Sequence, residues 1–309
     1  MNWNVRIGIN PISWSNDDLP ALGGDTPLET ALREGAEIGY EGFELGNKFP
    51  QEPDALRAKL AEFGVACVSG WYSGRLAEGT LEDEIAACRA HLSKLRHNGC
   101  RVVVYGEVAG SIQGRIDVPL ARRPRFRDEA AWRVYAAKLD GFGKHLRAEY
   151  GITLAYHHHM GAVVESPEDV DHLMALTGPD VGLLFDTGHA WYGGATDVVA
   201  QLAKHVERVV HVHCKDVRPQ VVRTARNDGW SFLTGVINGT FTVPGDGAID
   251  FGGVLATLHD AGYEGWLVVE AEQDPAVAPS YAFAKKGYDT LRAIVDRIDE
   301  ERDAVQGVS

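Results

Sequence analysis

Cysteine is scarce in this 309-residue chain, and Cys67, Cys88, Cys100 and Cys214 form no CxxC pair. That argues against a cysteine-based metal knuckle or dithiol redox motif and reads as buried free thiols in a reducing compartment. No apolar run approaches the roughly 20 residues that span a bilayer. The opening MNWNVRIGIN has no basic segment followed by a long apolar stretch, so the expected location is cytoplasmic. Basic residues are also short: 30 Lys and Arg against 44 Asp and Glu leave a net charge of −14. Phosphate-backbone binding depends on Lys and Arg, so nucleic acid is an unpromising partner. A Gly-rich phosphate loop is missing after the first apolar run, where INPISW stands instead, which disfavours an open dinucleotide-binding sheet.

What is present is an alternation of short apolar runs and longer amphipathic ones. Predicted strands cover Arg6–Ile12, Gly42–Leu45, Val65–Ser69, Arg101–Tyr105, Ile152–Tyr156, Val181–Phe185, Val209–Val212 and Trp266–Val269. Predicted helices lie near 27–38, 52–63, 80–97, 127–149, 166–176, 196–205, 250–261 and 280–298. Starts such as Ser166-Pro167-Glu168-Asp169 and stops such as Phe63-Gly64 support the boundaries. Eight strand–helix units predict an α/β fold: one (β/α)8 barrel, residues 1–309, without a linker. Residues 217–248 are expected to be a long loop near the mouth, of the kind that serves as a lid.

Barrel enzymes work at the C-terminal ends of their strands. Reading those ends gives Glu44 on strand two, His157-His158-His159 on five, Asp186 and His189 on six. Strand seven contributes His211, His213, Lys215 and Asp216, and strand eight Glu270 and Glu272. Side chains alternate along a strand, so His157 and His159 share one face and His158 the other. A mixed set of imidazoles and carboxylates points to Mn²⁺ or Co²⁺, with Zn²⁺ and Fe²⁺ as alternatives, over Mg²⁺ and Ca²⁺. Simpler readings stand beside this one. Asp186 would also serve as a turn or helix cap, Glu270 as a salt-bridge partner, and Lys215 as a partner of Asp216. Trp14, Trp71, Tyr105, Trp191 and Trp230 fall in strand-end loops and suit the C–H face of a ring substrate. Asn10 and Lys48 are expected to add hydrogen bonds.

The segments LLFDTGH, HVHCKD, PGDGAIDF and LVVEAEQDP together resemble the xylose isomerase-like barrels over nearly the whole chain. Within them, AYHHHMG and GLLFDTGHAWYGG are similar to the inosose dehydratases. The resemblance implies a divalent metal held by Asp186, His213 and Glu270. Where relatives carry Glu-Asn-His this chain has three histidines, so the fourth ligand is His157, with Glu165 as the alternative. It also implies dehydration of a cyclitol ketone, 2-keto-myo-inositol, in inositol catabolism. An isomerase or epimerase using the same enediolate chemistry is the competing reading. Proton-transfer candidates are His159, Glu165, Lys215, Glu272 and Glu44. Candidates for substrate contact are Glu44, Trp71, His189 and Trp14. A homo-oligomer is compatible with such barrels, and no segment singles out an interface.

Overall fold

The computed structural model describes residues 3–306, with side chains through residue 301. The termini of the expected 1–309 domain thus lie outside the described residues. Strands are β1 Val5–Ile9, β2 Gly42–Leu45, β3 Ala66–Gly74, β4 Val102–Glu107, β5 Thr153–His157, β6 Val181–Asp186 and β7 Val209–Cys214. Then come β8 Asp216–Val217, β9 Phe241–Thr242 and β10 Gly265–Val269. Eight of them close a parallel barrel in the order β1-β10-β7-β6-β5-β4-β3-β2, as the alternation predicts. Strands such as VGLLFD are buried at every position, because helices cover one face of the barrel wall and its packed interior the other.

Local signals start and stop the surrounding helices. Ser166 and Asp169 form a reciprocal capping box on the helix Pro167–Leu176. Gly39 ends the helix Leu28–Ile38 with φ 117°, a conformation that residues with a Cβ rarely adopt. The first strand stops at Ile9, short of the predicted Ile12, since Pro11–Ser13 forms a 3-10 turn. Proline there fixes φ and offers no N–H to a ladder.

The 217–248 region is not an extended loop. It folds into the helices Pro219–Asn227 and Phe232–Ile237 and returns through β9, which pairs antiparallel with β8. Val217, Val222, Phe232, Leu233, Val236 and Phe241 form a small core of their own with Met160 and Tyr192. Apolar residues on these two short helices therefore bury against each other and against the barrel rim, which the loop reading overlooked.

Candidate active site

Register brings the strand-end residues to one height. A shift between Leu183 and Leu184 in the β6–β7 pairing sets Asp186 directly beside His213. Val269 pairs with Cys214, so Glu270 emerges next to both. His157 ends β5, one strand further round. One ligand atom each from His157, Asp186, His213 and Glu270 lies within 4.8 Å of all the others.

Tautomers follow from fixed partners. His157 Nδ1 is 2.7 Å from the His158 carbonyl, which only accepts, so Nδ1–H donates and Nε2 turns a lone pair toward Asp186 Oδ2 at 3.5 Å. His159 likewise donates from Nδ1 to the Met160 carbonyl at 2.8 Å. His213 Nε2 faces Glu44, 3.1 Å from Oε2, leaving Nδ1 toward Asp186 and Glu270. His213 Nδ1 and Asp186 Oδ2 are buried without a hydrogen-bond partner, although Glu270 Oε2 is 3.1 Å from that nitrogen. Buried polar atoms are rarely left orphaned, and here the orphans converge from separate strands. The donor set suits a divalent transition metal, with His157, Asp186, His213 and Glu270 as its holders.

Asp186 also fills the simpler role weighed for it. Its Oδ1 caps the helix Thr187–Gly193 by accepting the His189 N–H at 2.8 Å, while Oδ2 turns into the cluster. Glu270 similarly pairs with Lys215 at 2.7 Å through Oε1 and turns Oε2 toward Asn10 and His213. Lys215 does not pair with Asp216. Its ammonium lies 2.7–3.3 Å from Glu270, Glu272 and Asp186, and 3.0 Å from His189 Nε2. Thr187 Oγ1 clasps the Lys215 backbone by donating to its carbonyl at 2.6 Å and accepting its N–H at 3.0 Å. Gly188 of the DTGH segment is required for this path, because a Cβ there would sit 2.6 Å from the Lys215 side chain.

A family model described as xylose isomerase-like TIM barrel matches residues 32–294. The chain belongs to the xylose isomerase-like TIM barrel family. It is 49% identical to the rhizopine catabolism protein MocC of Rhizobium meliloti, covering 93% of this chain and 88% of that one. It is 43% identical to an inosose dehydratase of Klebsiella pneumoniae, covering 94% and 97%. A solved L-ribulose 3-epimerase shares the fold at TM-score 0.66 and 17% identity, covering 97% of this chain and 98% of the other.

In this xylose isomerase-like barrel the mouth opens into a cavity of about 400 Å³. Trp71, His157, His159, Glu44, Glu270 and Glu272 line it. The Trp71 ring stands edge-on to His157 and His159, at 5.5 and 5.9 Å between centroids. His189 lies deeper, under Phe232 and Phe241 of the folded insertion. Glu44 sits at the floor, bound by His211 at 2.7 Å and Asn10 at 3.0 Å.

Six expected residues do not line this mouth. Tyr105 lies within β4, not in a loop, and packs on Phe142 and Tyr156. Trp191 is carried by the helix Thr187–Gly193, and Trp230 lines a different cavity with Glu165. Trp14 is buried beside Phe43 and donates to Glu34 at 2.6 Å. Lys48 is engaged by the carbonyls of Gly24 and Thr26. Glu165 accepts the Gly161 N–H at 2.6 Å and pairs with Arg123 at 3.2 Å, outside the four-residue metal cluster. A tight return from His159 to Val164 turns that segment away from the barrel axis.

Burial opposes every charge in the cluster, and neighbours decide which survive. Burial works against ionising Asp186, yet Lys215 and His189 hold its carboxyl well below the usual range. Glu44 is held low against burial by His213 and His211. For His213, Glu270 and Glu44 outweigh burial and keep its imidazolium far above the ordinary histidine range. Lys215 is raised in the same way by Asp186, Glu270 and Glu272. Burial and then His189 keep His159 uncharged. Metal ligands bind deprotonated, so a divalent cation at this set would release the His213 proton.

The cavity also contains residues that strand-end reading missed: Asp17 and Asp18 from the loop after β1, and Gln51, His91 and Lys94 from the β2–β3 side. The Asn16-Asp17-Asp18 run was a usable signal, being three polar residues soon after a strand end. His91 and Lys94 carried none, because positions on the helix Leu81–His97 do not reveal which gap in the wall they fill, and Gln51 stands in the bend before the helix Pro53–Glu62.

Proposed function

We propose that the protein is a metal-dependent hydro-lyase that removes water from 2-keto-myo-inositol, giving a trihydroxycyclohexane-dione in inositol catabolism. The observation that carries this reading is the four-donor cluster beside the buried Lys215–Glu272 pair. It occurs in a chain matching a named inosose dehydratase over 94% of its length. A bound Mn²⁺ or Co²⁺ would act as a Lewis acid toward the ketone.

This chain's own groups supply the rest. Glu272 accepts the proton from the carbon beside the ketone, and the Lys215 ammonium, 2.8 Å from it, stabilises the enolate oxygen. His159 presents a neutral Nε2 lone pair to a substrate hydroxyl, and Trp71 covers the ring face. Phe232 and Phe241 shield His189 from water, and that strengthens its polar contact with Lys215. Glu44 orients His213 from below.

The test is turnover with Mn²⁺ or Co²⁺ present. 2-Keto-myo-inositol should give rising ultraviolet absorbance from the enolised dione, while hydroxypyruvate, ketohexoses and 3-dehydroshikimate should be inert. Turnover of one of those three with the inosose unchanged would overturn the assignment. No described helix is long and apolar enough to cross a membrane.

A further inference from the structure

Dehydration needs a proton for the departing hydroxyl, and the metal side of the mouth is crowded with groups already engaged. Lys215 is shared among three carboxylates and His189, and Glu44 is bound by His211, His213 and Asn10. The loop after β1 borders the same mouth, because β1 pairs with β10, the strand that leads into Glu270. It is fixed at two points. Buried Asn16 accepts the N–H groups of Asp18 at 2.9 Å and Leu19 at 3.0 Å, and Asp17 accepts the Asn47 N–H at 2.8 Å. Asp18 is thereby held half-buried in the cavity wall with Glu270 and Glu272, and its carboxyl takes no hydrogen bond or ion pair from the described residues.

The local charge balance says what form that carboxyl takes. Glu44, Asp186, Glu270 and Glu272 face one ammonium, Lys215, and a divalent cation would leave the set still one charge negative. A further carboxylate without a cation of its own is disfavoured there. Consistent with this, burial first and then Glu272 raise the Asp18 carboxyl to about 7, against the pull of Lys215.

We propose that Asp18 is the proton donor to the departing hydroxyl, an assignment that rests on the dehydratase reading above. The base takes the α-proton and the C–H electron pair becomes the enolate. As the enolate collapses to C=C, the bond from the β-carbon to its hydroxyl breaks with the pair on oxygen. The Asp18 Oδ–H proton passes to that oxygen and water leaves. Asp18 remains as a carboxylate and regains a proton from solvent through the open mouth.

The experiment compares wild type with Asp18→Asn, each with Mn²⁺ in D2O. Dione is followed by absorbance, and deuterium at the α-carbon of recovered 2-keto-myo-inositol by NMR. Asp18→Asn should form dione at least ~100-fold more slowly, the size of a lost general acid, while still exchanging the α-proton and binding metal stoichiometrically. A substrate with fluoride in place of the departing hydroxyl should be turned over by the variant within about tenfold of wild type, because fluoride leaves without a proton. Exchange lost in parallel with elimination, or a fluoro substrate slowed as much as the ketose, would overturn the proposal. Wild type that makes no dione would overturn the dehydratase reading itself and this assignment with it.

Discussion

Asp186 ends β6 and Asp216 opens β8, two residues past the end of the neighbouring β7; both are buried aspartates, yet their surroundings differ in kind. Asp216 accepts five backbone N–H groups, from Val217, Gly245, Gly247, Ala248 and Ile249, at 2.8–3.3 Å. The PGDGAID return wraps around it, and Gly247 is required because a Cβ would sit 2.3 Å from Asp216 Oδ1. Asp186 spends one oxygen on a helix cap and leaves the other without a hydrogen bond, among imidazoles and Lys215. A carboxylate saturated by amides organises chain; one left without a hydrogen bond among other donor side chains is placed to hold a cation. In the segments HVHCKD and LLFDTGH the two look equivalent.

The sharpest way to break this contrast is Asp186→Ala. It should abolish metal content by elemental analysis and reduce turnover by about 10³-fold or more, since the cation provides several kcal/mol of charge stabilisation. Stoichiometric metal in that variant would remove Asp186 from the ligand set. Lys215→Met comes next. It deprives the cluster of its one ammonium and should lower kcat about 10²–10³-fold, with metal still bound. An unchanged kcat would assign Lys215 to stability alone.

Asp216→Ala tests the other half. It strands five amides and should cost about 2–4 kcal/mol in urea unfolding, with faster proteolysis inside 217–248 and retained metal. Metal loss comparable to that of Asp186→Ala would erase the distinction.

The smallest effect concerns the outward histidine of the run. His158 packs on Phe185 with both ring nitrogens unpartnered, and burial pushes it down to about 3. His158→Leu should gain about 1 kcal/mol at neutral pH by removing an unsatisfied polar group. The unfolded chain takes up the His158 proton near 6.5 and the folded chain only near 3, so this group's contribution is full above 6.5 and falls as pH drops. The variant should therefore show a shallower loss of stability between pH 6.5 and 4.

Much of the barrel was legible in advance because its signals are local. All eight barrel strands and the eight longer helices around them follow from apolar runs, caps and stops, whereas the short helix Thr187–Gly193 after β6 was not anticipated. The run His157-His158-His159 was separable into inward and outward members by the period of two, and its rings divide that way, His157 toward His213 and His158 toward Phe185. The folded insertion was less legible, because two short amphipathic helices between Gly-containing turns resemble a loop until their apolar sides find each other. Trp14 and Glu165 were misjudged for a related reason. Sequence places a residue near a strand end without saying which way the following turn sends it.

The amino-acid sequence by itself determined the strand–helix alternation, the faces on which imidazoles and carboxylates stand, and the net charge of −14. Tertiary structure alone decided that Lys215 joins Asp186, Glu270 and Glu272 and not its neighbour Asp216. It also decided that Glu165 is satisfied by Arg123 and that Asp18 lines the same cavity as Glu272. The physical reason is range. Side-chain direction along a strand is fixed by backbone geometry within a few residues. Partners across a barrel depend on register shifts and loop paths, and those are set only when distant strands close on one another.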